Sequence, residues 1–165
     1  MEFFFTNEAT LHRTDEIVAY LRGPRLWIPT TDYPDFLDWT QKVHEQLRHE
    51  EKRALVAMSG GQVVGASIYQ RHREEADALE VKNITVRPDQ QGRYVASFLL
   101  RNAELEGERD FPGVRQAVVD AKAGNFAVRR FLLHHAYVPA ALVDLYGLGA
   151  GADVVFRKRL RRLVI

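Results

Sequence analysis

The middle of the chain changes its hydrophobic period from two to nearly four, and this change constrains the fold more than any other feature. Residues 53–58 and 62–70 alternate around Gly60-Gly61, which predicts two strands joined by a tight hairpin. Residues 77–87 continue as a third strand of the same sheet, and residues 96–103 then place apolar side chains at helical spacing. A hairpin-based sheet therefore runs directly into a helix.

The third of these strands contains a slip in its apolar phase. Leu79 and Val81 share one parity, whereas Ile84 and Val86 share the other, and Lys82-Asn83 lies between the two pairs. One extra residue in mid-strand is what a β-bulge supplies. A plain exit of the chain from the sheet would explain the slip as well.

The segments on either side complete a mixed α/β order. Residues 2–6 predict a strand, residues 10–22 a helix that ends at Gly23-Pro24, and Pro34 the first turn of a second helix. The order β-α-α-β-β-β-α-β-α-β-β predicts one mixed sheet with helices on both sides, in a single domain of residues 1–165. The later elements are a strand at 114–121, a helix that Asn125 caps, and strands at 137–146 and 152–160.

Composition excludes several classes of chemistry. The 165 residues include no cysteine, which rules out disulfides, thiolate zinc sites and cysteine nucleophiles. His134-His135 are adjacent and do not face one site, so we expect no metal centre. The net charge is +1, and five of the 23 basic residues lie within 157–162. A nucleic-acid binder usually carries a basic face over its whole domain, so a solvated last strand is the favoured interpretation of this tail.

The most informative segment is residues 86–96, Val-Arg-Pro-Asp-Gln-Gln-Gly-Arg-Tyr-Val-Ala, where a strand ends, a turn follows and a helix begins. Backbone N–H groups in the first turn of a helix have no intrahelical partner and point outward, so such a turn is a ready anion site. Arg87 and Arg93 add positive charge beside it. The segment predicts a bound phosphate or pyrophosphate, and an ordinary strand–helix turn is the alternative.

This segment resembles the signature of the GNAT superfamily of acyl-CoA-dependent N-acyltransferases, Val-x-Pro-x-x-(Arg/Gln)-Gly-x-Gly-x-(Gly/Ala). The matching residues are Val86, Pro88, Gln91, Gly92 and Ala96, with Tyr94 where the second glycine is usual. Asn125, Phe131 and Tyr137 fit in part a second family segment, Asn-x-x-Ala-x-x-(apolar)-Tyr-x-x-x-Gly-Phe. Together with the element order and a bulged fourth strand, the resemblance covers residues 3–160.

The resemblance implies that acyl-CoA binds along this strand and turn. Its pyrophosphate is expected on the amides of residues 91–96, and its pantetheine arm beside the backbone of residues 84–86, like an added strand. The amide near Val86 would hold the thioester oxygen, and Asn125 would bond the arm. The residues implied at the donor site are Ile84, Thr85, Val86, Gln91, Gly92, Arg93, Tyr94, Val95, Ala96, Asn125 and Phe131.

Two carboxylates are candidates for the general base. Glu80 lies six residues before Val86, and Asp120 lies five residues before Asn125; the family places a catalytic carboxylate at one or the other position. An acceptor amine is protonated at neutral pH, so a carboxylate must take a proton from it, directly or through water, before it attacks. A strand residue in a salt bridge is the alternative interpretation of each.

The family's usual general acid is missing. A tyrosine is expected seven residues after Asn125, where this chain has Leu132, and Ala136-Tyr137 replaces the usual Gly-Phe. We therefore predict that Tyr137, Tyr146, His135 or water protonates the departing CoA thiolate, or that the enzyme is slow.

On the acceptor side, aromatic and acidic residues cluster within residues 27–39, a composition that suits an ammonium-bearing acceptor. Trp27, Asp32 and Tyr33 are the candidate substrate-binding residues. Phe36 and Trp39 share a helical face and are expected in the core.

The resemblance implies an N-acetyltransferase that moves an acetyl group from acetyl-CoA to a primary amine by direct attack on the thioester, without a metal. The acceptor is a small-molecule or protein amine, and a homodimer is left open. A degenerate domain that binds acyl-CoA without turnover is one alternative, and a nucleic-acid-linked acceptor such as charged tRNA is another. The longest apolar runs fall far short of the ~20 residues that span a bilayer, so we expect a cytoplasmic protein with no membrane partner.

Overall fold

A computed structural model describes residues 2–7, 13–23, 34–145, 147 and 151–160. The described chain forms seven strands and four α-helices in the predicted order, with a short 3₁₀ turn at Pro88–Gln90. The elements are β1 (Phe4–Thr6), α1 (Thr14–Arg22), α2 (Phe36–Arg48), β2 (Arg53–Ser59), β3 (Gln62–Arg71), β4 (Ala78–Val86), α3 (Val95–Asp110), β5 (Gln116–Lys122), α4 (Phe126–His134), β6 (Val138–Val143) and β7 (Asp153–Arg159).

All seven strands belong to one mixed sheet in the order β1-β2-β3-β4-β5-β7-β6. Neighbouring strands are antiparallel, except that β4 and β5 run parallel. A parallel pair needs a crossover, and α3 provides it. The predicted fold class, a single mixed sheet with a bulged fourth strand, is therefore confirmed.

Each face of the sheet carries its own hydrophobic cluster. Ile17 and Leu21 of α1 and Val43 and Leu47 of α2 pack on one face. Helices α3 and α4 cover the other face, where they contribute Leu99, Leu100, Ala103 and Leu132. We refer to these as the α1/α2 face and the α3/α4 face.

The predicted bulge lies at Lys82. In the β3–β4 ladder Ile68 pairs with Asn83 and Tyr69 with Val81, so Lys82 has no opposite residue. The extra residue restores the phase: Leu79, Val81, Ile84 and Val86 all belong to the α3/α4 cluster or pack against it. The polar side chains of β4, which are Glu80, Lys82, Asn83 and Thr85, consequently point to the α1/α2 face.

Several predicted boundaries change. The strand predicted at 137–146 spans only Val138–Val143, and the strand predicted at 114–121 begins at Gln116. On α4, Val128 is 38% exposed and lines a cavity, whereas Leu132, one turn further on, is buried in the core. None of the helices in the described ranges is long and apolar enough to cross a bilayer.

Candidate functional site

Strands β4 and β5 pair at one end and separate at the other. Within the described residues, their ladder joins only residues 78–80 to residues 116–118. Beyond these pairs a cavity of about 530 Å³ opens between the strands. Its walls come from β4, β5, α4, the first turn of α3 and the start of α2. An extended ligand in this cavity would lie beside β4 backbone with which β5 no longer pairs.

The turn after β4 brings backbone N–H groups to the edge of this cavity. Gly92 and Tyr94 have left-handed backbone, with φ of +73° and +62°. The Phe98 N–H bonds the Tyr94 carbonyl at 3.0 Å, whereas the amides before it belong to the first turn and have no intrahelical acceptor. Gln91 and Ala96 line the cavity, so the start of α3, where a sequence of this kind predicts an anion site, borders it.

The structure brings most of the predicted donor-site residues together. Those that line the cavity are Ile84, Thr85, Val86, Gln91, Ala96, Asn125 and Phe131. Gly92, Arg93 and Tyr94 are exposed in the adjoining turn, and the Val95 side chain is buried in the core beneath it. A ligand could therefore contact the backbone of this turn and the exposed side chains of Arg93 and Tyr94, but not the Val95 side chain.

Arg87 contributes less charge to this turn than its position in the sequence suggests. Its guanidinium donates two hydrogen bonds to the Asp89 carboxylate, at 2.6 and 2.8 Å. These bonds raise the pKa of Arg87 and lower the pKa of Asp89. Much of the charge of Arg87 is therefore compensated within the turn itself.

Asn125 caps α4, as the sequence predicts. Its Oδ1 accepts a hydrogen bond from the Val128 N–H at 3.2 Å, which is the usual N-cap contact. The residue also lines the cavity, so the cap fixes its side chain at the cavity wall. One turn further along α4, Phe131 and Leu132 complete that wall.

Glu80 is held in a network of its own. Its carboxylate accepts hydrogen bonds from Lys82 Nζ at 2.8 Å and from Gln70 Nε2 at 2.6 Å. Burial acts to raise the pKa of Glu80, but the charge and hydrogen bond of Lys82, with that of Gln70, hold this pKa below its ordinary value. Lys82 lines the cavity, whereas Glu80 is not among the residues that line it. Glu80 is therefore ionised at neutral pH, and its carboxylate is already hydrogen-bonded to the Lys82 ammonium.

Asp120, unlike Glu80, lies in the wall of the cavity itself. Its neighbours Val119 and Ala121 pack in the α3/α4 cluster, so the Asp120 side chain is directed to the α1/α2 face, the face of Glu80. Asp120 lines the cavity wall formed by β5. At the end of the same strand, Lys122 also lines the cavity, and its Nζ lies 3.2 Å from the buried Asp153 carboxylate.

The model of the acetyltransferase (GNAT) family matches residues 13–137. The chain belongs to this family. The matched region runs from the start of α1 to the end of α4, so it includes both walls of the cavity and the turn between β4 and α3.

Solved structures share the GNAT fold over nearly the whole chain. A GNAT-family protein from Desulfovibrio desulfuricans superposes with a TM-score of 0.77 at 15% identity, over 96% of this chain and 99% of its own. The ribosomal-protein-S18-alanine N-acetyltransferase from Escherichia coli gives 0.71 at 19% identity, over 99% of each chain. The PaiA N-acetyltransferase from Thermoplasma acidophilum, in complex with coenzyme A, gives 0.70 at 13% identity, over 97% and 100%. No curated protein matches at a significant level.

The candidate acids of this GNAT domain lie away from the cavity. The Tyr137 hydroxyl is buried and donates to Glu104 Oε1 at 2.7 Å; burial first, and then the Glu104 carboxylate, raise its pKa above the ordinary value. His135 Nε2 lies 3.0 Å from Ser97 Oγ, and burial lowers the His135 pKa, which favours neutral imidazole. The placement supports neither side chain as the proton donor, and Tyr146 lies outside the described residues.

The acceptor side of this GNAT domain is described only in part. Trp27, Asp32 and Tyr33 lie outside the described residues. Phe36 and Trp39 pack against the α1/α2 cluster, as expected for core residues, but they also line the cavity, with ring centroids 5.7 Å apart. The cavity wall therefore includes a pair of aromatic rings from the start of α2.

Sequence reasoning missed Lys82 and Lys122 in the cavity wall, and it included Asp35 only as a member of the acidic and aromatic cluster of residues 27–39. Asp35 precedes α2 and lines the cavity beside the aromatic pair. The sequence did contain a signal for these lysines, because the chain has only five lysines and one of them, Lys82, lies in the predicted bulge. In the described ranges, no three histidine, aspartate or glutamate side chains are grouped to hold a metal ion.

Proposed function

We propose that this GNAT domain transfers an acetyl group from acetyl-CoA to a primary amine. The observation that carries the proposal is the cavity between β4 and β5, which is bordered by the start of α3. An elongated donor with a charged pyrophosphate and an amide-rich arm fits this arrangement. The helix start suits the pyrophosphate, and the β4 backbone suits the arm.

The polar groups of the cavity favour a ligand of this kind. Asn83 Oδ1 is buried and has no hydrogen-bond partner among the described residues. Asn83 lines the cavity next to the backbone of residues 84–86. An unsatisfied buried oxygen costs about 1–3 kcal/mol, and a bound molecule with an N–H or ammonium group would recover part of that cost.

We assign Asp120 as the base for the external acceptor. The Asp120 carboxylate takes a proton from the acceptor ammonium, directly or through water, and the neutral nitrogen then attacks the thioester carbon. The new C–N bond forms and the C–S bond breaks, and CoA leaves as a thiolate that takes up the second nitrogen proton through water, while Asp120 releases the first proton to water. A free thiol has a pKa of ~8.5, so this thiolate is an acceptable leaving group when water alone protonates it.

Cofactor binding is tested by calorimetry with acetyl-CoA. Gly92→Asp places a carboxylate in the anion-binding turn, and we expect it to abolish binding while the fold is retained. Gly113→Asp is the matched control, because Gly113 also has a positive φ and open space where a side chain would begin, but lies in the turn after α3. Absence of acetyl-CoA binding by the unmutated protein would refute the proposal.

The base is tested by steady-state kinetics with a panel of primary amines. We expect Asp120→Asn to lower kcat by ~10²–10⁴-fold with little change in acetyl-CoA affinity. Glu80→Gln is the comparison, since it removes the other carboxylate of the same face. A larger loss of kcat in Glu80→Gln than in Asp120→Asn would identify Glu80 as the base instead. No turnover by the unmutated protein would favour a domain that binds acyl-CoA without catalysis.

The structure weakens the case for a nucleic-acid-linked acceptor. Two of the tail cations are compensated inside the fold: Arg157 forms a bidentate pair with Glu75 at 2.6 and 2.7 Å, and Lys158 Nζ lies 2.7 Å from Glu104 Oε2. Fewer uncompensated cations then remain for phosphate contacts. A small-molecule or protein amine is accordingly the acceptor class that we propose.

A further inference from the structure

Among the described lysines, Lys82 is the one that combines three properties. It lies in the β-bulge of β4, it lines the cavity, and its Nζ is 2.8 Å from Glu80 Oε1. The Lys82 and Glu80 side chains are 22% and 15% exposed, so the pair is largely shielded from water. A primary amine is thus already beside a carboxylate at the wall of the proposed donor site.

The bulge explains how the amine comes to this position. In a regular strand each residue has an opposite residue in the ladder, whereas Lys82 is the extra residue of the bulge and has none. It lies directly before the backbone of residues 83–86. That backbone is where we place the pantetheine arm and thioester. Because the amine is tethered next to it, its reaction with the thioester would be intramolecular, and well-oriented intramolecular reactions reach very high effective concentrations.

The second carboxylate oxygen of Glu80 is fixed as well. Gln70 Nε2 donates to Oε2 at 2.6 Å, which leaves Oε1 directed to Lys82. Lys122, the other lysine of the cavity wall, is instead paired with the fully buried Asp153. Lys82 is therefore the cavity lysine that lies on β4, beside the backbone where we place the thioester, and it has the shorter contact with its carboxylate, 2.8 Å against 3.2 Å.

We propose that Lys82 is an acyl acceptor within this domain, and that bound acetyl-CoA acetylates it. The inference rests on the proposed function. The Lys82 ammonium gives a proton to Glu80, and the neutral nitrogen attacks the thioester carbon. The C–N bond forms, the C–S bond breaks, the CoA thiolate takes up the second nitrogen proton, and Glu80 releases the first proton to water. The product amide is uncharged, so Glu80 loses its cationic partner.

The test is mass spectrometry of the purified protein after incubation with acetyl-CoA and no acceptor. We expect a mass gain of one acetyl group per chain, with peptide mapping to Lys82. The first-order rate should not change with protein concentration, because the reaction occurs within one chain. Lys82→Arg should lower total acetylation by ~10-fold or more, whereas Lys42→Arg, on an exposed position of α2, should leave it unchanged.

Acetyl-CoA calorimetry on the same sample distinguishes failure of the self-acetylation from failure of the proposed function. Bound acetyl-CoA with no acetyl group on Lys82 would overturn the self-acetylation and leave the proposed function intact. Equal modification of Lys42 and Lys82 would also overturn it, since exposed Lys42 reports uncatalysed acetylation. If acetyl-CoA does not bind, the proposed function and this inference both fail.

Discussion

Ala136 adopts a backbone conformation that favours glycine, and replacing it should stabilise the protein. The residue follows α4 with φ of +64°. The Tyr137 N–H bonds the Leu132 carbonyl and the Ala136 N–H bonds the Leu133 carbonyl, both at 3.1 Å. This pair of bonds is the Schellman motif, whose left-handed position is most often glycine. We therefore predict that Ala136→Gly increases the free energy of unfolding.

The size of the gain follows from two opposing effects. A left-handed backbone costs an ordinary L-residue about 1–2 kcal/mol, and glycine avoids this cost. Glycine also gives the unfolded chain more freedom, which removes about 0.4–1 kcal/mol of the benefit. The expected net gain is about 0.5–1 kcal/mol, or roughly 1–4 °C in Tm for a domain of this size.

The assay is urea and thermal unfolding followed by circular dichroism, without ligand. Ala127→Gly is the matched control, because Ala127 is also exposed but lies inside the helical part of α4. There the same substitution should destabilise by about 0.5–1 kcal/mol. Opposite signs for the two variants are the expected result. Destabilisation by Ala136→Gly would show that the left-handed conformation carries no cost here, and the reasoning would be wrong.

Three further perturbations have defined outcomes. Gly107→Ala should destabilise by about 1–3 kcal/mol, because its new Cβ would lie 2.4 and 2.6 Å from the methyl carbons of the fully buried Leu79. Tyr94→Gly should raise Tm, because Tyr94 has φ of +62° and is 77% exposed. Glu80→Gln should destabilise by about 1–3 kcal/mol at pH 7, because Lys82 loses a charged acceptor. Since the folded pKa of Glu80 is lowered, this difference should shrink as the pH falls below ~4.3.

Two of these have a matched control variant, and the third is checked by its pH dependence. Gly124→Ala should be near neutral, since a side chain there meets nothing within 4 Å; equal destabilisation at Gly124 and Gly107 would contradict the packing argument. Tyr94→Ala keeps the left-handed cost and should not raise Tm; a rise as large as that of Tyr94→Gly would assign the effect to the ring. For Glu80→Gln, a difference that is constant from pH 7 to pH 3.5 would contradict the proposed ion pair.

Local pattern was sufficient to predict the framework of the donor site. The phase slip between Val81 and Ile84 was enough to locate a bulge, because side-chain alternation is a property of the strand itself. The signature of residues 86–96 predicted the strand, turn and helix, and Asn125 predicted the start of α4. Each of these features depends on neighbours within a few residues, so the sequence contains the information.

Local hydrophobic period and turn chemistry were therefore enough to predict the element order, the bulge and the strand–turn–helix of residues 86–96. Which charges reach the cavity depends instead on tertiary packing. It buries the Tyr137 hydroxyl against Glu104, 33 residues away in the chain, and it pairs Glu80 with Lys82 while Asp120 lines the cavity. These outcomes depend on how far β4 and β5 separate and on which helix covers each face. Both are set by packing between distant segments, which no local pattern records.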